Sequence, residues 1–449
     1  MKTSHAYSRR DVIKALSADG VASLPFASPV MSQILYDNGV NMPPSVTNIE
    51  NWNPVKRLTP VKPDGMVLNA SITTVDIGGG NQGAAWLLNN SLPSPFIRVR
   101  KGERFKLRLD NELPDGLILH WHGLTPSEPM DGHPRLAIYK GSSYDYDFTV
   151  VNWASTYWYH SHSHYRVGKH AYYGIAGLLI VDDYEADEID LPKGKYELPL
   201  VLQDRRVDFS GSIVPYTVPD TMEGLIGNEP FGNSINRPEL EVDTALYRFR
   251  ILNGSNARIF RLARNDAKKL YIIGNDAGFL DKTAAVDYVD IAPGERIDML
   301  VDLRDAEVGD DILLGSRVFF ISGGLARPQD FNRQGHEMEM IRLKVTKKVR
   351  DTSRIPETLL ADDGPDPADA VNERPFILSS DRDSATRTMM RHQINGKTFP
   401  HGHIDETVPF GQTEIWTIRN ENNFSHPIHL HATHFRNLSR TGGRNQVMP

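Results

Sequence analysis

Pro95-Phe-Ile-Arg-Val-Arg-Lys-Gly-Glu-Arg-Phe-Lys-Leu-Arg-Leu109 alternates apolar and charged residues on both sides of Lys101-Gly102. Successive side chains of a strand point to opposite faces, so each arm has one apolar and one solvated side. The stretch predicts a half-buried antiparallel hairpin. Residues 144–151, 178–181, 247–252, 296–302 and 338–345 repeat the texture, and sustained helical periodicity is scarce. Short strands at regular spacing predict an all-β fold of consecutive sandwiches rather than a βα barrel.

Two breaks divide the chain. The acidic run over 182–196 contains Pro192 and Gly194, and 350–374 is rich in proline and acid, as an exposed linker would be. The divisions are 55–185, 190–348 and 372–449. The first two have the size of a sandwich domain and the third is about half of one, in keeping with 449 residues being long for a single core.

Composition narrows the chemistry. A net charge of −7 with no basic block argues against a nucleic-acid partner. No apolar run reaches 18 residues, so no membrane span is expected. The absence of cysteine removes disulfides, thiolate nucleophiles, zinc–thiolate sites and iron–sulfur ligation. Near the N-terminus, Ser8-Arg9-Arg10-Asp11-Val12-Ile13-Lys14 resembles a twin-arginine export signal and precedes a modestly apolar stretch. Residues 1–30 are therefore expected to be a signal peptide, and the protein periplasmic or otherwise extracytoplasmic.

Three pairs carry the chemical signal: His120-Trp-His122, His160-Ser-His162 and His429-Leu-His431. In a strand, positions i and i+2 share a face, so each pair presents two imidazoles on one side. Spacing alone leaves open whether they converge on one ion or serve two. Zinc, copper, iron and nickel all accept imidazole. One such pair is commonly structural; three are difficult to explain that way.

The flanking residues suggest a family. Leu119-His-Trp-His-Gly123, Trp158-Tyr-His-Ser-His162 and His426-Pro-Ile-His-Leu-His-Ala-Thr-His-Phe435 resemble three of the four copper motifs of the multicopper oxidases, enzymes related to laccase. Gly174-Ile-Ala-Gly-Leu-Leu-Ile-Val181, 247–258, Ile291-Ala-Pro-Gly-Glu-Arg296 and Gly411-Gln-Thr-Glu-Ile-Trp416 extend the resemblance from about residue 60 onward. The middle segment is most similar to the spore-coat laccase and bilirubin oxidase branch.

The resemblance implies three consecutive cupredoxin-like Greek-key β-sandwiches, the third incomplete, with copper as cofactor. His120 and His429 match the type 2 copper ligands. His122, His160, His162 and His431 match four of the six type 3 ligands, and His426 one type 1 ligand. Asp131 matches an acid that assists proton delivery, although a turn aspartate before Gly132 reads equally well. The family's fourth motif, His-Cys-His, is expected beyond residue 449, so the chain is expected to be C-terminally truncated. Type 1 copper needs its thiolate, so this chain alone is expected to be inactive or impaired. Its third domain would then expose an unpaired edge that a second polypeptide could complete.

The implied activity couples one-electron oxidation of a small phenolic, aromatic or metal-ion substrate to reduction of dioxygen to water. The alternative is an exported non-catalytic scaffold or copper-binding protein. A zinc or copper hydrolytic or sequestering site is a third reading, for which no general base is evident. His133, His164, His170, His401 and His403 are expected to face solvent or back the ligands. Met338 and Met340 are expected on the inward face of a strand, and Met389-Met390 calls for no metal role.

Overall fold

The computed structural model describes residues 49–217, 220, 224–319, 334–360, 364–382, 390–399, 402–422 and 425–441. The expected signal peptide, Met389 and His401 lie outside them.

The first unit is a sandwich of two four-stranded sheets. One runs in the order Asn81–Leu88, Met66–Gly78, Arg104–Asn111, Ser142–Thr149; the other in the order Ile97–Arg100, Ala176–Asp182, Ser155–Ser161, Leu119–His122. Alternate residues fill the space between them: Leu68, Ala70, Val99, Phe105, Leu107, Leu109, Trp121, Tyr146, Tyr157, Tyr159 and Val181 form one buried cluster. Burying side chains of this size contributes roughly 1.5–3 kcal/mol each.

The predicted hairpin does not form. Residues 97–100 pair in parallel with 179–182, whereas 104–111 pair with 66–70 and 142–149 in the opposite sheet. Both arms alternate as read, but Gly102, at φ +87°, carries the chain from one sheet to the other. Alternation identifies which face is buried and leaves the pairing partner open.

The second unit sandwiches a six-stranded sheet against a seven-stranded one around a larger core that includes Phe249, Ile251, Phe260, Met299, Leu314 and Leu343. Met338 and Met340 are fully buried in it, as the strand reading expected. Asn53–Pro54 adds a parallel edge strand to this unit, before the chain enters the first. The 247–252 stretch is not half-buried: every residue of Leu246–Asn253 is buried. Its arginines are tolerated because carboxylates meet them, Arg248 on Asp298 and Arg250 on Glu197 at 3.1 Å. Glu197 also binds Arg98 of the first unit at 2.9 Å, and so ties the two sandwiches together.

The third unit is one three-stranded sheet, Met390–Ile394, Ala370–Arg382, Thr413–Asn420. Among the described residues it has no buried hydrophobic side chain, and Val371, Ile404, Phe410 and Phe435 are exposed. The described residues of this unit thus form one sheet with no second sheet facing it. Beyond it, residues 425–441 run without regular structure against the first unit.

Candidate metal centre

Six of the seven histidines expected as ligands converge. Leu119–His122 is the edge strand of its sheet and pairs antiparallel with Ser155–Ser161, which sets His120 opposite His160 and His122 opposite Trp158. The intervening side chains turn inward. Trp121 packs on Phe105 and Tyr146 at 4.6 and 4.9 Å, and Ser161 Oγ lies 2.6 Å from His170 Nδ1. The two-residue period therefore sends the four imidazoles to the outer face.

His429 and His431 arrive from the third unit, and here the strand expectation fails, because residues 425–430 form no strand. Stacking holds them instead. The His429 ring lies 3.6 Å from that of His122 at 13°, and His431 lies 3.8 Å from His120 at 22°. His162 meets His431 edge-on, with centroids 4.8 Å apart.

Ring nitrogens face one another at two points: His120 Nε2 and His429 Nε2 at 3.2 Å, and His122 Nδ1 and His160 Nε2 at 3.3 Å. The opposite edges fix the tautomers. His120 Nδ1 donates to the Asp131 carbonyl at 2.8 Å, and His160 Nδ1 to the Ser161 carbonyl at 2.8 Å, so the Nε2 atoms of both bear lone pairs. His431 Nδ1 donates to Asp131 Oδ2 at 2.8 Å, freeing its Nε2 likewise. A ring N–H of His429 or His122 can meet these lone pairs in the absence of metal, and a cation can take its place. Two nitrogens on one tetrahedral ion at ~2.0 Å stand ~3.3 Å apart, which is the spacing present here. The donor set therefore fits imidazole-bound metal.

Electrostatics keep five of these rings, those of His120, His122, His160, His162 and His429, neutral and ready to bind. Burial, then neighbouring imidazoles, push His160 far down; burial, Arg296 and the neighbouring imidazoles do the same to His122, and His162 falls to about 3. His120 and His429 are also lowered, chiefly by burial. Burial would raise Asp131, but hydrogen bonds from His120 and His431 outweigh it and hold the carboxyl at about 2. Asp131 is thus an ionised acceptor behind two imidazoles, as well as a residue of the turn before Gly132.

The seventh histidine, His426, stands apart. Its Nε2 lies 2.9 Å from Asn422 Nδ2 and its ring 6.2 Å from His392, within the third unit. The close donor groups among the described residues are His120 with His429 and His431, and His120 with His122 and His160. Of the histidines expected to be peripheral, His170 is wholly buried, with Nε2 3.4 Å from Asp115 Oδ2 and Nδ1 on Ser161, so it braces the strand from behind.

Two contributors went unread in the sequence. His434 Nε2 donates to the Gly123 carbonyl at 2.7 Å and fastens the third-unit loop beside His122. Arg296 donates from Nε to the Thr156 carbonyl at 2.9 Å, bringing a positive charge and the second unit against the cluster. Both lie inside the motif strings quoted above, which was the signal available.

Comparison with known proteins agrees with this geometry. The multicopper oxidase family profile matches residues 69–186 and 372–448. The cell division protein FtsP of Xenorhabdus nematophila is 31% identical over 370 residues, 82% of this chain and 75% of that protein. The laccase of Bacillus subtilis is 26% identical, over 79% of this chain and 75% of its own. Among solved structures, the McoA multicopper oxidase of Aquifex aeolicus is similar at TM-score 0.68 and 31% identity, covering 77% of this chain and 75% of that one. The laccase-like oxidase CueO of Ochrobactrum reaches 0.71 at 29%, covering 82% and 83%. With paired imidazoles meeting between the first and third of its β units, this chain belongs to the multicopper oxidase family, a family of copper-dependent oxidoreductases.

Proposed function

We propose that the six converging histidines hold a copper cluster of the dioxygen-reducing kind. The observation that carries this reading is the pair of ring-nitrogen contacts at 3.2 and 3.3 Å, each spaced for a shared ion. His120 and His429 would form the type 2 site. His122 with His160, and His162 with His431, would each supply two ligands of the type 3 pair. Bound copper would supply dioxygen binding and its reduction by electrons from a small phenolic, aromatic or metal-ion substrate.

The chain's own residues do the rest. The Asp131 carboxylate holds the Nδ1 proton of His431 and its backbone carbonyl that of His120, which leaves both Nε2 atoms unprotonated, and the carboxylate can accept a proton at the cluster's edge. Arg296 and burial suppress ring protonation, which would compete with metal. The stacked pairs His122–His429 and His120–His431 keep the third-unit loop on the first unit.

Electron entry is the weak point. These 449 residues contain no thiolate, and the imidazole described beside His426 is that of His392, 6.2 Å away between ring centres. A copper there would lack the ligand that makes type 1 sites efficient. The chain alone is therefore expected to bind copper and turn over poorly, unless a second polypeptide meets the exposed third-unit sheet. The arginine pair at residues 9–10 supports extracytoplasmic export by the twin-arginine route. Among the described residues no helix is long and apolar enough to cross a membrane.

The relative named as a cell division protein favours a second reading: a non-catalytic scaffold that keeps the fold. Steady-state oxygen uptake with a phenolic donor, alongside copper content, separates the two. Stoichiometric copper with slow uptake fits the oxidase reading; a folded chain that retains no copper fits the scaffold.

A further inference from the structure

The two histidine pairs of the first unit are backed in different ways. Between His120 and His122 the inward side chain is Trp121, held by packing against Phe105 and Tyr146, and its buried Nε1 has no hydrogen-bond partner. Between His160 and His162 it is Ser161, fully buried, whose hydroxyl meets a second fully buried polar group, the imidazole of His170. Burying such a pair costs free energy unless its donors and acceptors are matched.

The protons of this pair can be placed. His170 lies on the helix Val167–Tyr173, and its Nε2 is 3.4 Å from Asp115 Oδ2, a carboxylate oxygen that Lys169 also binds at 2.8 Å. Burial lowers His170 to about 4 against the pull of Asp115, so the ring is neutral at neutral pH with its one N–H on the carboxylate side. Nδ1 therefore carries a lone pair, and the Ser161 hydroxyl donates to it at 2.6 Å. The lone pairs left on Ser161 Oγ face Ser163, whose amide nitrogen is 3.4 Å away and whose Oγ is 3.3 Å away. Ser161 Oγ thus closes a short bracket across residue 162. The His170 ring is seated in turn against Trp86 of the facing sheet, with centroids 5.2 Å apart.

We propose that His170 is a positioning residue for the metal centre, acting through the Ser161 hydroxyl to set the backbone that carries His162. This role presupposes the reading of the six histidines as copper ligands. His120 and His160 each have Nδ1 on a backbone carbonyl, and His431 has Asp131, whereas His162 Nδ1 is buried with no hydrogen-bond partner among the described residues. With no group behind its ring, His162 is aimed by its backbone. Its own amide donates to the Ile118 carbonyl at 2.9 Å, and the bracket from Ser161 to Ser163 fixes the turn that follows.

Three variants of the whole chain test this. His170→Leu removes the acceptor, His170→Asn places Oδ1 near the position of Nδ1 and can still accept from Ser161, and Ser161→Ala removes the hydroxyl. Amide exchange across residues 160–165, read by mass spectrometry on the chain stripped of metal, is expected to quicken about tenfold in His170→Leu and Ser161→Ala. It should return toward the wild-type rate in His170→Asn. Copper affinity by chelator competition should follow the same order, falling about tenfold, and the Cu(II) EPR spectra of the two defective variants should differ from wild type. Adding His170→Leu to Ser161→Ala should cost nothing further, since both remove one interaction. If His170→Leu fails to fold, Ser161→Ala and His170→Asn decide. Wild-type exchange and copper affinity in Ser161→Ala overturn the proposal, as does a defect that His170→Asn shares in full. A folded wild-type chain that holds no copper sinks the copper reading instead, and the exchange rates then decide whether His170 sets His162.

Discussion

Replacing Asp131 by Asn keeps the shape of a side chain that bridges two imidazoles and removes its charge. The carboxylate takes the Nδ1 proton of His431 at 2.8 Å and lies 3.2 Å from His120 Nδ1, with only 10% of its side chain exposed. The two rings respond differently. His120 Nδ1 keeps the backbone carbonyl of residue 131 at 2.8 Å, whereas Asp131 is the one Nδ1 acceptor recorded for His431. An amide can accept from one ring but turns a donor toward the other. His431 therefore loses its fixed tautomer in a large share of molecules. Changes behind metal-bound histidines cost about 10–100-fold in metal affinity, or about 1.4–2.8 kcal/mol. Copper affinity measured by chelator competition at neutral pH should fall by that factor. The apo variant should lose no more than about 2.5 kcal/mol in urea unfolding, since Asp131 is held roughly two pH units below its ordinary value. A variant that folds like wild type and binds copper equally tightly would refute the assignment of Asp131 as the group that orients the ligands.

Gly132→Ala tests the backbone beneath His120: at φ +81° its Cβ would stand 2.1 Å from the Leu119 carbonyl oxygen and 2.8 Å from His120 Cα. Gly65→Ala, at φ +71° with nothing within 4 Å, is the control and should cost only the left-handed penalty of about 1–2 kcal/mol. Urea unfolding should show Gly132→Ala to be clearly worse, with copper binding weakened in that variant alone. Glu197 is opposed by burial but held at about 2, against an ordinary 4.5, by Arg250 and Arg98. Its stabilisation, on the order of 3 kcal/mol, should be complete above pH 4.5 and lost as pH falls toward 2. Glu197→Gln should therefore differ most from wild type at neutral pH, and a pH-independent difference would count against the buried network. Glu295 has the opposite sign: burial and then Asp276 raise it to about 7. The wild type should lose stability as pH rises from 4.5 through 7, and Glu295→Gln should lack that loss in thermal scans from pH 5 to 8.

Much of the site was legible because its parts obey short-range rules. The His120-Trp-His122 and His160-Ser-His162 pairs needed only the two-residue period, which turns Trp121 and Ser161 into the sandwich and the imidazoles out of it. The 95–109 stretch was misread for a related reason. Its alternation reports faces, whereas its partners, 179–182 for one arm and 66–70 for the other, lie far away in sequence. His429 and His431 reach the cluster from an irregular segment through ring stacking, which no periodicity encodes. Arg296 and His434 act through backbone carbonyls of another unit, contacts that exist only after assembly.

The most direct test of the account is the copper content of the purified chain, reconstituted under reducing conditions, desalted and read by elemental analysis with its optical spectrum. The account predicts more than one tightly held copper per chain, lost when His120 and His429 are both replaced, and no intense thiolate-to-copper band in the visible spectrum. Less than one equivalent of copper on a folded chain would contradict it.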